Sequence, residues 1–208
     1  MKIAAARNAN GARAPQARPL RVLGLDPAAA GPTGYGIVET DGRNCRMLHF
    51  GALPAASRAG RGDFAERLRT IHELVCGLIA DYSPDAVAVE SVFTALNMRT
   101  ALLLAEVRGV VQLAAAQGHV PISSYSPREV KACVAGYGHA NKQQMQIMVR
   151  AMLGMRETPE PSDAADALAV ALCHIHTANA RARIAAAVAP RAPRSALAAG
   201  QQPRRTHL

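Results

Sequence analysis

Apolar positions along the chain fall into two kinds of run. Residues 20–25, 35–40 and 45–52 form short runs rich in Leu, Val and Ile, and this pattern predicts three strands. The second and third are joined across Thr40-Asp41-Gly42-Arg43-Asn44, a segment with turn chemistry. From 63 to 80 the spacing changes: Phe64, Leu68, Ile71, Val75, Leu78 and Ile79 lie on one helical face. Residues 86–90, AVAVE, read as a short buried strand ending in an acid, 97–117 as a second helix, and 120–126 as a fifth strand. A helix then opens with Ser126 as N-cap, Pro127 at its first position and Glu129 where a capping box needs it. Two further helices are expected over 141–153 and 162–179, and no segment repeats another. Three meandering strands followed by helix–strand units predict an α/β domain with a mixed sheet.

Composition narrows the class. With 208 residues, half of them hydrophobic, the chain can build one domain of ordinary size around a real core. No apolar run approaches the roughly 18 residues that would span a bilayer, and the start of the chain lacks the apolar stretch of a secretory signal. Cys45, Cys76, Cys133 and Cys173 are scattered, without C-x-x-C or metal-finger spacing, so a reducing, cytoplasmic setting is expected.

The net charge of +9 resides in the ends. Residues 1–19 and 181–208 together carry ten of the 24 cations and no acid, leaving 14 cations against 15 acids between 20 and 180. Both ends are rich in Ala, Pro and Arg, so residues 1–19 and 181–208 are expected to be disordered basic extensions around a folded 20–180. Such ends either lend salt-dependent affinity for nucleic acid or are simply solvated.

Four acids stand apart from the rest. Asp26 and Glu90 each end an apolar strand and would emerge at one sheet edge if those strands are parallel neighbours. Asp163 and Asp166 lie three residues apart in the first turn of the last helix, and so on one face of it. Each has an ordinary explanation: a turn starter, a solvated strand end, or carboxylates at the positive end of a helix dipole. Gathered together, however, four carboxylates would repel one another unless a cation joined them, and hard oxygen ligands suit Mg²⁺.

At this point the sequence resembles a known family. VLGLDP with TGYG, then AVAVESVF, then SDAADALAVALCH are similar in order and spacing to the three acidic motifs of the RuvC family. ALLLAEVRGVV and YSPREVKACVAGYGHANKQQMQIMV resemble it between those motifs, so that the likeness covers roughly residues 20–178. The resemblance implies a ribonuclease H-like fold, a five-stranded mixed sheet flanked by helices on both faces. It implies a homodimeric endonuclease that resolves four-way (Holliday) DNA junctions by paired, symmetric incisions in recombination and repair. RuvA and RuvB, the branch-migration proteins, are the partners it implies. Asp26, Glu90, Asp163 and Asp166 take the place of the metal ligands, for two Mg²⁺ per subunit with Mn²⁺ as a substitute. Lys131 and Lys142 match two basic positions used at the DNA and the active site, and Phe93 matches an aromatic set against unpaired junction bases.

The lysine match has independent weight. The chain has only three lysines among its 24 cations, and both outside the ends fall at the matched positions. A compact ammonium beside a phosphate is not interchangeable with a planar guanidinium. One departure concerns the loop after Asp26, where Ala28 replaces the family's glycine and AAAGP is one residue longer; Gly31 is expected to supply a positive φ there. Ser123, Ser124 and Cys133 have no histidine at nucleophile spacing and are given no catalytic role. The helix over 97–117 is apolar nearly all round and is the expected dimer face, unless another helix of the same chain covers it. Alternatives are another ribonuclease H-fold nuclease such as an RNA-processing enzyme, a non-cutting junction binder, or a nucleotide-binding protein like the sugar kinases and actin. The last lacks a second phosphate loop here.

Overall fold

The computed structural model describes residues 18–55, 64–91 and 98–188. Its elements run β1 (Leu20–Asp26), β2 (Thr33–Thr40), β3 (Cys45–Leu53), α1 (Phe64–Tyr82), β4 (Ala86–Glu90), α2 (Met98–Gln117), β5 (Ile122–Tyr125), α3 (Pro127–Ala135), α4 (Lys142–Met152) and α5 (Ser162–Val188). The five strands form one sheet in the order β3-β2-β1-β4-β5. Short connections force β1, β2 and β3 into an antiparallel meander, whereas α1 and α2 act as crossovers that leave β1, β4 and β5 parallel. The sheet is therefore mixed, as the pattern predicts.

Strand alternation divides the core into two layers. Leu23, Leu25, Ile37, Val87 and Val89 point to the side covered by α1 and α2. Val22, Val38 and Ala88 point to the side covered by α3, α4 and α5. Asp26 and Glu90 continue the second set by the period of two, so both carboxylates face the α5 side. On α2, Val107, Val111, Ala114 and Ala115 are buried toward α1, while Leu102 and Leu113 remain more than half exposed on its outer surface.

Three expectations need correction. Residues 181–188 are not disordered: α5 continues through Val188 for 27 residues. The stretch Arg-Ala-Arg-Ile-Ala-Ala-Ala-Val is made chiefly of strong helix formers, and propensity carries the helix on although Ile184 and Val188 are exposed. Gly31 does not take a positive φ; among the described residues that conformation occurs at Gly42, Gly136, Gly154, Ser83 and His119. The loop after Asp26 is shaped by side-chain hydrogen bonds instead. The strand expected over 120–126 is shorter, Ile122–Tyr125.

Candidate active site

Three glycines set the distance between sheet and helix. Gly24 and Gly36 face one another across β1 and β2, and Gly34 lies opposite Asp26. All three face α5. A Cβ at Gly24 would lie 2.1 Å from the Ala167 carbonyl oxygen, and one at Gly34 would lie 1.9 Å from that of Asp163. At Gly36 it would meet the Leu168 side chain at 2.6 Å. The backbone of α5 thus rests almost directly on the backbone of β1 and β2. The helix answers with small residues, Ala164, Ala167 and Ala171, all fully buried. This contact brings Asp163 and Asp166, at the start of α5, beside the strand-end carboxylates.

Asp26, Glu90 and Asp166 are perturbed by burial and by the charges around them. Burial, followed by the charge of Glu90 and a hydrogen bond to it, pushes Asp26 up to about 8, with Asp166 and Asp163 adding to the rise. Burial likewise raises Glu90 and Asp166 above the usual carboxylate range. Protonation of Asp26 and its hydrogen bond to Glu90 are thus favoured over two bare charges side by side. This is the response of crowded carboxylates that lack a cation. As the side chains stand, no three of the acids among the described residues converge closely enough to hold a metal ion. Asp26 and Glu90 face each other, and Asp166 turns toward a lysine.

That lysine is Lys142, whose Nζ stands 3.3 Å from an Asp166 carboxylate oxygen. Lys142 is the first residue of α4, which starts at a capping box formed by Asn141 and Gln144. A cation at a helix N-terminus opposes the helix dipole, so the position is set by the pocket and not by helix stability. Lys131, on α3, lies near enough to lower both Glu90 and Asp166. Its helix opens with the expected capping box of Ser126 and Glu129 and has Pro127 in its first turn. Glu90, Asp166, Lys131 and Lys142 line one open pocket of about 220 Å³, floored by Val130, Met145 and Ala169. Acids from the sheet and α5 form one wall and lysines from α3 and α4 the other. Phe93 lies outside the described residues.

Two groupings escaped the sequence. Cys133 does have a histidine neighbour: His176 comes against it from α5. Hydrogen bonding from Cys173, and then from His176, draws the Cys133 thiol down to about 5 against the opposing effect of burial. The separation of more than 40 residues hid the pair, and Cys133 does not line the pocket. Arg67, between the apolar positions of the helix expected over 63–80, is buried and bonds to the loop that follows Asp26.

Sheet order, strand directions and the acid-lined edge define a ribonuclease H-like α/β protein. A family model described as crossover junction endodeoxyribonuclease RuvC matches residues 22–174. The crossover junction endodeoxyribonuclease RuvC of Alkaliphilus oremlandii is 44% identical over 158 residues, covering 76% of this chain and 94% of that one. Its counterpart from Chloroflexus aggregans is 46% identical over 159 residues, again covering 76% and 94%. The structure of T. thermophilus RuvC in complex with a Holliday junction substrate superposes with a TM-score of 0.72 at 36% identity, covering 78% of this chain and 96% of that one. A yeast mitochondrial Holliday junction resolvase shares the fold, with a TM-score of 0.58 at 13% identity. The chain belongs to the RuvC family.

Proposed function

We propose that the protein resolves four-way DNA junctions by metal-dependent cleavage of two strands, with Asp26, Glu90, Asp163 and Asp166 as metal ligands. The observation that carries the assignment of the site is the convergence of Asp26 and Glu90, at the ends of the paired parallel strands β1 and β4, with Asp163 and Asp166 at the start of the helix packed on that sheet, four carboxylates whose combined charge calls for a divalent cation. Hard oxygen donors at an open pocket fit Mg²⁺, with Mn²⁺ as substitute, and two ions per subunit would give the four acids full use. Bound there, the metal supplies an activated water and offsets charge on the phosphate.

The chain's own residues do the rest. To hold a metal Asp26 would be ionised, its proton passing to solvent, since a coordinating carboxylate carries its charge. The 220 Å³ pocket admits a single backbone phosphate rather than a duplex, so the strand lies across its mouth. Lys142 swings from Asp166 to the phosphate oxygens, and Lys131 stays beside Glu90 to hold the acid wall's charge in balance. Phe93 sits three residues past Glu90 and would stack on an unpaired base. The basic ends add sequence-blind attraction to DNA.

Symmetric incision of a two-fold junction requires two active sites on one axis, so the working form is a homodimer. The outer face of α2, with Leu102 and Leu113 exposed, is its interface. RuvA and RuvB would deliver the junction, and the cytoplasm is the compartment in which such DNA lies. No helix among the described residues is long and apolar enough to cross a membrane.

The test is Asp26→Asn against a synthetic four-way junction, a linear duplex and an RNA hairpin. An amide can replace the protonated carboxyl's hydrogen bond to Glu90, so fold and junction binding should survive while cleavage disappears. Wild-type protein should cut the junction alone, leaving nicks that a ligase seals. Undiminished cutting by Asp26→Asn refutes the assigned site.

A further inference from the structure

Asp26 is the last residue of β1, and the segment 27–32 that leaves it must turn sharply to re-enter the sheet at Thr33. No backbone–backbone hydrogen bond among the described residues falls within that segment. Its hydrogen bonds come from two side chains. The Ala28 N–H donates to Thr33 Oγ1 at 3.3 Å. Arg67 reaches in from α1 and donates through one guanidinium nitrogen to the Gly31 carbonyl at 2.6 Å and to Thr33 Oγ1 at 3.0 Å. Its other terminal nitrogen donates to the Pro54 carbonyl at 2.6 Å, just beyond β3.

This arginine is unusual in three respects. It is only 7% exposed, and it meets neutral carbonyls where a buried cation ordinarily meets a carboxylate. Burial draws its guanidinium below the ordinary value. Its Nε has no hydrogen-bond partner among the described residues. A buried charge held in this way is costly, and an aliphatic side chain would fill the same space without that cost. Its geometry accounts for its presence, because a planar fork spans two chain segments at fixed angles and no other side chain does.

The side from which it acts matters as well. Thr33, Tyr35 and Ile37 point toward α1, whereas Gly34 and Gly36 point toward α5. Arg67 therefore grips the end of the β1–β2 ladder from the face opposite the carboxylates. It does not line the pocket and cannot touch DNA or metal there. We propose that Arg67 is a positioning residue for Asp26: by fixing the loop to which Thr33 and Gly31 belong, it holds the Asp26 carboxylate at the angle metal binding needs. In this chain the role falls to a side chain because Ala28 and the long AAAGP segment provide no glycine turn of positive φ. The inference rests on the reading of Asp26 as a metal ligand.

The experiment measures Mn²⁺ binding by calorimetry, junction affinity in EDTA, and single-turnover cleavage, for wild type, Arg67→Met, Arg67→Lys, Thr33→Val and Asp26→Asn. Arg67→Met should bind the junction as wild type does but bind Mn²⁺ about 10- to 100-fold more weakly, the usual effect of losing a residue that orients a ligand. Its cleavage rate at saturating DNA should fall in step and recover as Mn²⁺ is raised, which a general loss of structure would not allow. Arg67→Lys should fall between, since an ammonium reaches one carbonyl but does not span two segments. Thr33→Val, nearly isosteric, should shift Mn²⁺ affinity the same way by a smaller factor, and it carries the test if Arg67→Met does not fold. Wild-type Mn²⁺ affinity in Thr33→Val and in a folded Arg67→Met overturns the positioning role. If Asp26→Asn also binds Mn²⁺ as wild type does, the metal reading of Asp26 falls first, and the two failures are told apart.

Discussion

Gly34→Ala adds one methyl group at the most crowded point of the site. That methyl would lie 1.9 Å from the carbonyl oxygen and 2.4 Å from the carbonyl carbon of Asp163. Both are backbone atoms, so no rotamer change relieves the clash. Ordinary contact begins near 3.4 Å, so the start of α5 must retreat by about 1.5 Å, and displacements of about 1 Å in a catalytic group cost roughly 10²-fold in rate. Because Gly24 and Gly36 still hold the helix further along, α5 should pivot, moving Asp163 most. Overpacking of this kind also destabilises by about 1–3 kcal/mol, partly offset by the stiffer unfolded chain. The assay is single-turnover cleavage of a synthetic junction at saturating protein and metal, with a thermal melt alongside. Gly77→Ala in α1, where nothing lies within 4 Å of the added methyl, is the matched control. It should gain about 0.5–1 kcal/mol and leave cleavage unchanged. If Gly34→Ala cuts within twofold of wild type and melts at the same temperature, backbone contact between α5 and β2 does not place Asp163.

Two further predictions address charge. Folded, metal-free protein keeps a proton on Asp26 up to about pH 8, whereas the unfolded chain releases it near 3.8. The folded state therefore binds more protons between those values, and this contribution to stability is lost as pH rises from about 4 to about 8. Mg²⁺ should accordingly raise the melting temperature more at pH 8 than at pH 5, relative to EDTA, a comparison in which acids outside the site cancel; a gain independent of pH contradicts the assignment. Lys142→Met should lower single-turnover cleavage by about 10²-fold, with junction affinity little changed, because the role proposed for Lys142 is to aim one donor at developing charge. Its exposed ion pair with Asp166 is worth only about 0–1 kcal/mol, so the melting temperature should barely move, and Lys142→Arg should not restore the rate. Loss of stability with retained rate would make Lys142 a structural residue.

Local rules made much of this fold readable. Strand alternation, the 3.6-residue spacing of α1 and the Ser126–Glu129 cap each depend on neighbours within a few residues, and each recurs in the structure. The meeting of Asp26 with Glu90 needed one topological step, parallel pairing of β1 and β4, which the helical crossover between them dictates. What could not be read depends on non-local contact. Nothing in the helical pattern of α1 distinguishes Arg67 from solvent-facing Arg69, which pairs with Glu66 and Glu73 on the same helix. The trough of Gly24, Gly34 and Gly36 did leave a signal, since glycines two apart in one strand face the same way. Its meaning, however, requires knowing which helix lies above. Residues 181–188 were misread for the opposite reason, because composition suggested disorder where alanine-rich sequence simply extends a helix already begun.

The separate anchoring of the pocket's two walls has a consequence for how activity is lost. The acids stand on the central strands and on a helix fused to them, whereas the lysines stand on α3 and α4, of nine and 11 residues. Helices so short do not persist alone, and these are held by their caps and by a few anchors, Val130, Val134, Met145 and Val149. They form a unit able to open while the sheet stays intact. Amides of α3 and α4 should therefore exchange with deuterium sooner than those of β1 or α5. Mild heating should therefore disorder the lysine wall before the carboxylate wall. A DNA strand lying across both walls couples the two units, so the substrate itself slows that exchange and protects the enzyme from this route of inactivation.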